Sequence, residues 1–460
     1  MNDATAAPLV EFYERHQKVY PREVTGRFAR LRALAVVVLL GVYYLVPWLP
    51  WNERQAVLFD LPARRFYIFG LTLFPQDFVY LAALLIIAAL SLFFFTALAG
   101  RLWCGYACPQ TVWTEAFLWI ERRIEGDRAA RIKLDRGPWT AAKLARKSAK
   151  QIAWLAFALW TGLTFVGYFT PIRTLVREVS TLSLGPWETF WVLFYGFATY
   201  GNAGYLREQV CKYMCPYARF QSAMFDRDTL IVSYDQARGE PRGARKRGVD
   251  PRTAGLGDCI DCTICVQVCP TGIDIRKGLQ YECIACAACA DACDAVMDKM
   301  GYRRGLIRYT SQNAVEGRPT RILRPRVWVY ATLLALLGTA LVIAIATRAP
   351  LDLSVSHDRN SLYRLRDDGT TENVYAIKIL NKDARAHRVR LAVRGPGGLM
   401  TVPADPVLTV PAGEIINTPL RVRRDTYSLL GSHAITLQLL DADSGRLHAE
   451  KQTRFFNPEK

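Results

Sequence analysis

Residues 259–294 read CIDCTICVQVCP, then TGIDIRKGLQYE, then CIACAACADACD. The outer two parts repeat the spacing C-x2-C-x2-C-x3-C, the bacterial run that holds iron–sulfur clusters. Three closely spaced cysteines wrap one corner of a cubane, and the fourth is better placed to ligate the other cluster. The spacing therefore assigns Cys259, Cys262, Cys265 and Cys293 to one [4Fe–4S] cluster. It assigns Cys283, Cys286, Cys289 and Cys269 to a second. Pro270 follows the first run as the pattern asks, whereas Asp294 follows the second; a proline there helps turn the chain but ligates nothing. Structural zinc prefers C-x2-C units with longer gaps and about four ligands per ion. A disulfide framework needs an oxidising compartment, which the topology below argues against.

Outward from this stretch, apolar residues are gathered into long uncharged blocks, and the formal charge of +18 lies between them. That is the pattern of a membrane protein with basic loops, not of a nucleic-acid binder. Five blocks read as spans: 33–51, 78–99, 152–172, 189–206 and 327–347. The fourth is the weakest, with Asn202 and two glycines near its end. A span needs about 20 residues at ~1.5 Å rise for a core of ~30 Å. Residues 1–32 are a polar, basic lead without the features of a signal peptide. Residues 52–77 read as an interfacial loop or hairpin, and 111–125 as an amphipathic helix with Glu121 and Glu125 off its apolar face. The predicted domains are thus the lead, a four-helix membrane domain at 33–206 with a basic loop at 100–150, and a polar segment at 207–326. That segment carries a ferredoxin-type domain at about 250–305. The fifth span follows. From 351 to 460, short alternating runs such as NVYAIKIL and HAITLQLL predict an all-β sandwich.

Lys and Arg set the orientation. Loop 100–150 carries 11 and segment 207–326 carries 20, against three and two in the opposite loops. The positive-inside rule then places the N-terminus and every cysteine in the cytoplasm of a bacterial inner membrane, with the β domain in the periplasm. The basic, Gly-rich loop Arg238–Gly248 suits contact with anionic lipid, or docking of an acidic electron donor.

Two further motifs, Cys104-Gly-Tyr-Ala-Cys108-Pro109 and Cys211-Lys-Tyr-Met-Cys215-Pro216, share the form C-x3-C-P. Each sits just past the cytoplasmic end of a span. At i, i+4 the two thiols of each pair would share one helix face, with proline ending or kinking that helix. Two pairs that converged would supply four soft ligands, which select Cu(I), zinc or iron–sulfur over hard ions. Buried, inert cysteine is the plain alternative. Trp103 and Tyr106 beside the first pair suit a pocket wall or interfacial anchoring. The five histidines, His16, His357, His387, His433 and His448, all lie outside the spans. No haem held by two intramembrane histidines is therefore expected.

With both cysteine sets placed, the chain resembles the FixG/CcoG/RdxA family of cytochrome c oxidase accessory proteins over nearly its whole length. The resemblance rests on the C-x3-C-P pairs, on LIVSYDQARGEPRG (230–243), on the doubled ferredoxin run and on CDAVMDKMGYRRGLIRYTSQN (293–313). Asp294 belongs to that pattern. The resemblance implies a membrane-bound cupric reductase that supports assembly of a cbb3-type oxidase, with an immunoglobulin-like C-terminal domain. It implies two [4Fe–4S] clusters on the eight ferredoxin cysteines, and copper or redox chemistry at Cys104, Cys108, Cys211 and Cys215. The implied partners are membrane lipid, an electron donor not identified by the sequence, a copper exporter or chaperone, and oxidase assembly factors. A quinol-linked electron-transfer subunit and a non-enzymatic assembly scaffold are the competing classes. The sequence leaves open whether the two C-x3-C-P pairs meet within one chain or across a homodimer.

Overall fold

A computed structural model describes residues 18–458 apart from 254, 359–360, 384 and 426–430. The expected lead up to residue 17, with His16, lies outside them. The chain forms two compact units: one from the chain up to Trp48 together with Leu85–Leu336, the other from Leu49–Leu84 and Leu337 onward.

Among the described residues, four helices are long and apolar enough to cross a membrane: Arg27–Trp48, Pro75–Ala99, Ala141–Val166 and Pro325–Ala346. The segment expected as the fourth of five spans differs. It is a 14-residue α-helix, Pro186–Thr199, continued by a seven-residue π-helical stretch, Tyr200–Leu206. Gly201, Asn202 and Gly204 lie in the π-helical stretch, and their poor helix propensity matches the change of winding there.

The helices of the first unit that matter for the site are α1 (Arg27–Leu45), α2 (Phe78–Ala99), α3 (Leu102–Tyr106), α4 (Pro109–Glu125), α5 (Arg128–Arg136), α6 (Ala141–Val166), α7 (Pro216–Met224) and α8 (Ala288–Met300). The N-terminus of α1 rests on α8. The buried Asp291 carboxylate accepts the backbone N–H groups of Phe28 at 3.2 Å and Ala29 at 2.7 Å. A carboxylate at this end satisfies orphan donors and complements the helix dipole. Gly26 makes the approach feasible, because a Cβ there would stand 2.3 Å from Asp291 Cγ. The strands Ile231–Tyr234 and Ile307–Thr310 pair antiparallel, Val232 opposite Tyr309, and bracket the cysteine-rich loops.

α4 is amphipathic as expected, with Val112, Phe117 and Leu118 buried. Glu121 and Glu125 are not on a solvated face, however; they are fully buried. Glu121 pairs with Arg207 at 2.9 Å, Arg131 at 3.2 Å and Lys150 at 3.8 Å. Glu125 takes Lys147 and Lys150, both at 3.0 Å. Part of the charge in the basic loop is therefore neutralised internally by α4, which periodicity alone does not show.

In the second unit, residues 52–77 take the hairpin form of the expected loop or hairpin, with one further strand. Strands Val57–Asp60, Arg65–Ile68 and Leu71–Leu73 form an antiparallel sheet, with Phe59 opposite Phe66 and Phe66 opposite Leu73. Asp77 is buried in an ion pair with Arg348 and lies 3.2 Å from Lys382 Nζ, which ties this sheet to the C-terminal region. That region is a two-sheet sandwich with strands β1 (Leu351–His357), β2 (Thr370–Asn381), β3 (His387–Arg394), β4 (Met400–Val402), β5 (Val407–Val410), β6 (Ile415–Asp425), β7 (Ser432–Asp441) and β8 (Leu447–Phe456). One sheet runs β4-β6-β2-β1 and the other β5-β3-β7-β8. Alternate residues Tyr375, Ile377 and Ile379 face Val389 and Leu391, and Ile435, Leu437 and Leu439, in one core. Each such side chain contributes about 1.5–3 kcal/mol on burial.

The Glu121 cluster yields a stability prediction. Burial raises the Glu121 pKa, but Arg207, Arg131 and Lys150 outweigh it and hold the carboxyl below its ordinary range. A depressed carboxylate contributes stability above its unfolded pKa of about 4, lost as pH falls through the lower folded value. Glu121→Gln leaves two buried arginines short of their counter-charge, a loss on the order of 3–5 kcal/mol. Thermal unfolding in detergent at pH 7 should show a clear drop in midpoint, and the gap to wild type should narrow below about pH 4.

Candidate functional site

The two halves of the cysteine repeat fold alike. Asp261 and Thr263 flank Cys262 with φ of 54° each, and Ala285 and Ala287 flank Cys286 with φ of 53° and 55°. Non-glycine residues rarely adopt this left-handed conformation, which costs of order 1–3 kcal/mol where it is held. Its recurrence at equivalent positions bends each loop around its own cysteines. One cavity is lined by Cys259, Cys262, Cys265 and Cys293 under Tyr234 and Ile307. A second is lined by Cys269, Cys283, Cys286 and Cys289, with Cys265 on the shared wall. α8 carries both Cys289 and Cys293, so it delivers one thiol to each cavity. Asp294 holds the turn after α8, where its Oδ1 accepts the Gly305 N–H at 2.8 Å.

These thiols are out of water. Burial pushes Cys265 up to about 11, and Cys283 and Cys293 up to about 12. Such thiols ionise only when a metal takes the proton's place. Among the described residues, no three His, Cys, Asp or Glu side chains converge to hold a single metal ion. Four cysteines line each volume, as a multi-iron cluster requires.

The C-x3-C-P pairs differ from the expected single helix. Cys104 lies in α3, and the chain then turns so that Cys108 caps α4 with Pro109 at its first position. Cys211 lies in the π-helical turn Val210–Met214, and Cys215 caps α7 with Pro216 first. Proline thus starts the next helix, where its missing N–H costs nothing. Burial raises the Cys108 thiol, while the backbone N–H groups of Thr111 and Gln110 favour its thiolate. The two pairs come together within one chain. Cys104, raised to about 12 by burial, feels the charge of Cys108 and Cys211; Cys211, raised to about 11, feels Cys108 and Cys215. Cys104 Sγ also donates to Oε1 of the fully buried Gln221, at 3.3 Å.

This thiol group sits against the second cavity. Cys104 and Cys211 pack against the apolar cluster of Val268, Ile284, Cys286, Ala288 and Ala292. α3 approaches so closely that a Cβ on Gly105 would lie 2.8 Å from the Ile284 carbonyl oxygen and 3.0 Å from Cys286 Cα. Tyr106 faces the same loop through Tyr309, at 3.3 Å between hydroxyls, and Tyr309 donates to the Ala285 carbonyl. Trp103 is about half exposed. In the loop Arg238–Gly248, Arg238 and Arg245 bind within the fold, to Asp258 and Tyr302, leaving Lys246 and Arg247 exposed. Residue patterns gave no sign of Gln221, which holds Cys104 from a distant segment, or of Asp291, which holds the N-terminus of α1. Gly105 was visible only as one position inside a motif.

Gly105→Ala tests the contact. The obstructing atoms are backbone and cannot rotate away, so α3 must shift, at about 1–3 kcal/mol. A lowered thermal midpoint with undiminished iron content is the expected result.

Known proteins share both the cysteine region and the β-sandwich. Residues 206–312 match a family described as a 4Fe-4S dicluster domain, and residues 81–126 one described as a 4Fe-4S binding domain. Residues 341–458 match the immunoglobulin-like fold at the C-terminus of FixG. Nitrogen fixation protein FixG of Rhizobium meliloti (strain 1021) is 41% identical over 428 residues, covering 85% of this chain and 82% of its own. Proteins RdxB and RdxA of Cereibacter sphaeroides are 42% and 44% identical, covering 89% and 84% of this chain and 93% and 84% of theirs. A crystal structure of a FixG-related protein from Vibrio parahaemolyticus is 28% identical over 24% of this chain and 96% of its own, with a TM-score of 0.21.

Proposed function

This chain belongs to the FixG/RdxA family of iron–sulfur electron-transfer proteins, and from that premise we propose that it reduces Cu(II) to Cu(I) in support of cbb3-type oxidase assembly. The observation that carries the reading is the packing of Cys104 and Cys211 against the apolar cluster that contains Ile284 and Cys286 of the second cavity. Cys259, Cys262, Cys265 and Cys293 would hold one [4Fe–4S] cluster, and Cys269, Cys283, Cys286 and Cys289 the other. When bound, such clusters supply electrons singly, which is the stoichiometry Cu(II) requires.

The chain's own residues do the rest. Cys104, Cys108, Cys211 and Cys215 bind the copper substrate as soft thiolates, which favour Cu(I) over Cu(II). Copper takes the place of the protons on the thiols that bind it. Gln221 orients Cys104, and the α4 N-terminus favours the Cys108 thiolate. The proposed orientation keeps all of these thiols cytoplasmic and the β-sandwich periplasmic, and Cu(I) leaves by thiol exchange to an exporter or chaperone.

A second reading, quinol-linked electron transfer, is favoured by one feature. A cavity of about 450 Å³ lies between α1 and α4, lined by Arg32, Val36, Glu115 and Trp119, and reaches Val268 and Pro270 beside Cys269. Its amphipathic wall and size suit a membrane-borne ring compound.

Anaerobic stopped-flow with a Cu(I)-specific chelator separates the two. Cys104→Ser with Cys211→Ser, matched to wild type for iron, should slow Cu(II) reduction by roughly tenfold or more, as expected for loss of soft thiolate ligands. An unchanged rate would remove these thiols from the reaction and bring the quinol-linked reading forward.

A further inference from the structure

Arg101 is 3% exposed and stands two residues past the end of α2. Its guanidinium donates through Nη1 to the Tyr281 carbonyl and through Nη2 to the Ala218 carbonyl. Tyr281 stands two residues before Cys283, Ala218 stands three residues after Cys215, and Arg101 itself precedes Cys104 by three. One side chain thus joins the three segments that carry the thiols of both sites. Its Nε has no hydrogen-bond partner.

The charge is unusual for its surroundings. A guanidinium does not lose its proton in a protein, and a buried cation is costly unless an anion compensates it. Among the described residues, no carboxylate stands within ion-pair distance of Arg101, unlike Arg131, Arg207 and Arg324. Two carbonyl dipoles solvate the charge without cancelling it. Its charge bears on Cys104, Cys211 and Cys283, among other groups.

We propose that Arg101 is the fixed counter-charge of the thiol site, a positioning residue that stabilises Cu(I) bound by Cys104 and Cys211 and steadies Cys283 in its cluster. The copper part rests on the cupric reductase reading. Cu(II) with two thiolates is neutral, whereas Cu(I) with two thiolates carries one negative charge. A buried cation therefore favours the product of the one-electron step over its substrate, as Cu(II) plus one electron becomes Cu(I). The same charge beside Cys283 favours the more negative, reduced state of the cluster held there.

The test uses the detergent-purified protein with its iron in place. Cu(I) affinity is measured anaerobically by competition with bathocuproine disulfonate for wild type, Arg101→Lys, Arg101→Gln and the Cys104→Ser/Cys211→Ser double variant. Arg101→Gln should bind Cu(I) at least about tenfold more weakly, with Arg101→Lys within about threefold of wild type, since the charge and not the fork is what copper senses. Arg101→Met replaces the glutamine variant if that one does not fold. Wild-type affinity in the neutral variant, or equal loss in the lysine variant at equal iron content and thermal midpoint, would overturn the proposal. If the cysteine double variant binds Cu(I) like wild type, the copper reading itself fails. The proposal is then decided by a redox titration followed by electron paramagnetic resonance. One of the two clusters in the neutral variant should be harder to reduce, by about tenfold in its reduced-to-oxidised ratio at fixed potential, which is about 59 mV for one electron; unchanged potentials for both would overturn it.

Discussion

A thiolate out of water needs positive charge beside it, and this constraint shapes the whole first unit. Burial holds the protons on Cys104, Cys211, Cys265, Cys283 and Cys293. Iron, copper, helix N-termini and guanidinium groups are what can replace them. The fold supplies the last two from its own chain. Pro109 and Pro216 start helices capped by Cys108 and Cys215, and Arg101 joins the segments that carry Cys104, Cys215 and Cys283. The apolar packing around the loops serves the same end, since a dry site makes each of these electrostatic effects stronger.

That packing requires the cysteine loops and the membrane helices to be built as one body. Asp291 fastens α1 to α8 between two cluster-side cysteines. Gly105 lets α3 lie on the Ile284–Cys286 backbone at a distance no side chain would permit. Glu121 gathers Arg131, Lys150 and Arg207 from three separate segments. A family whose work is electron transfer benefits from such rigidity, because the groups between which electrons pass must keep their separation while the metal changes charge.

Motifs and spans were readable where the chemistry is local. The spacing of eight cysteines, the uncharged runs of the four long helices and the alternation of Tyr375, Ile377 and Ile379 all lie within short windows. Readings that treated charge as a property of the loop alone fared less well. Glu121 and Glu125 looked like the polar face of a surface helix and are its most buried carboxylates. Residues 52–77 alternate poorly, because their small sheet is held by Asp77 against Arg348 and Lys382, 271 and 305 residues further along the chain.

By itself, then, the sequence determined which cysteines belong to which repeat, four of the five segments it marked as apolar spans, and that the C-terminal part is all-β. Each follows from a short-range period, set by helix or strand geometry or by the reach of a ligand loop. The tertiary structure alone decided that the two C-x3-C-P pairs meet within one chain, that proline begins and does not end a helix there, and that Arg101 binds the Tyr281 and Ala218 carbonyls with no carboxylate beside it among the described residues. Those outcomes depend on packing between segments far apart in sequence. The free energy of a buried charge is set by everything around it, and no local pattern records that surrounding.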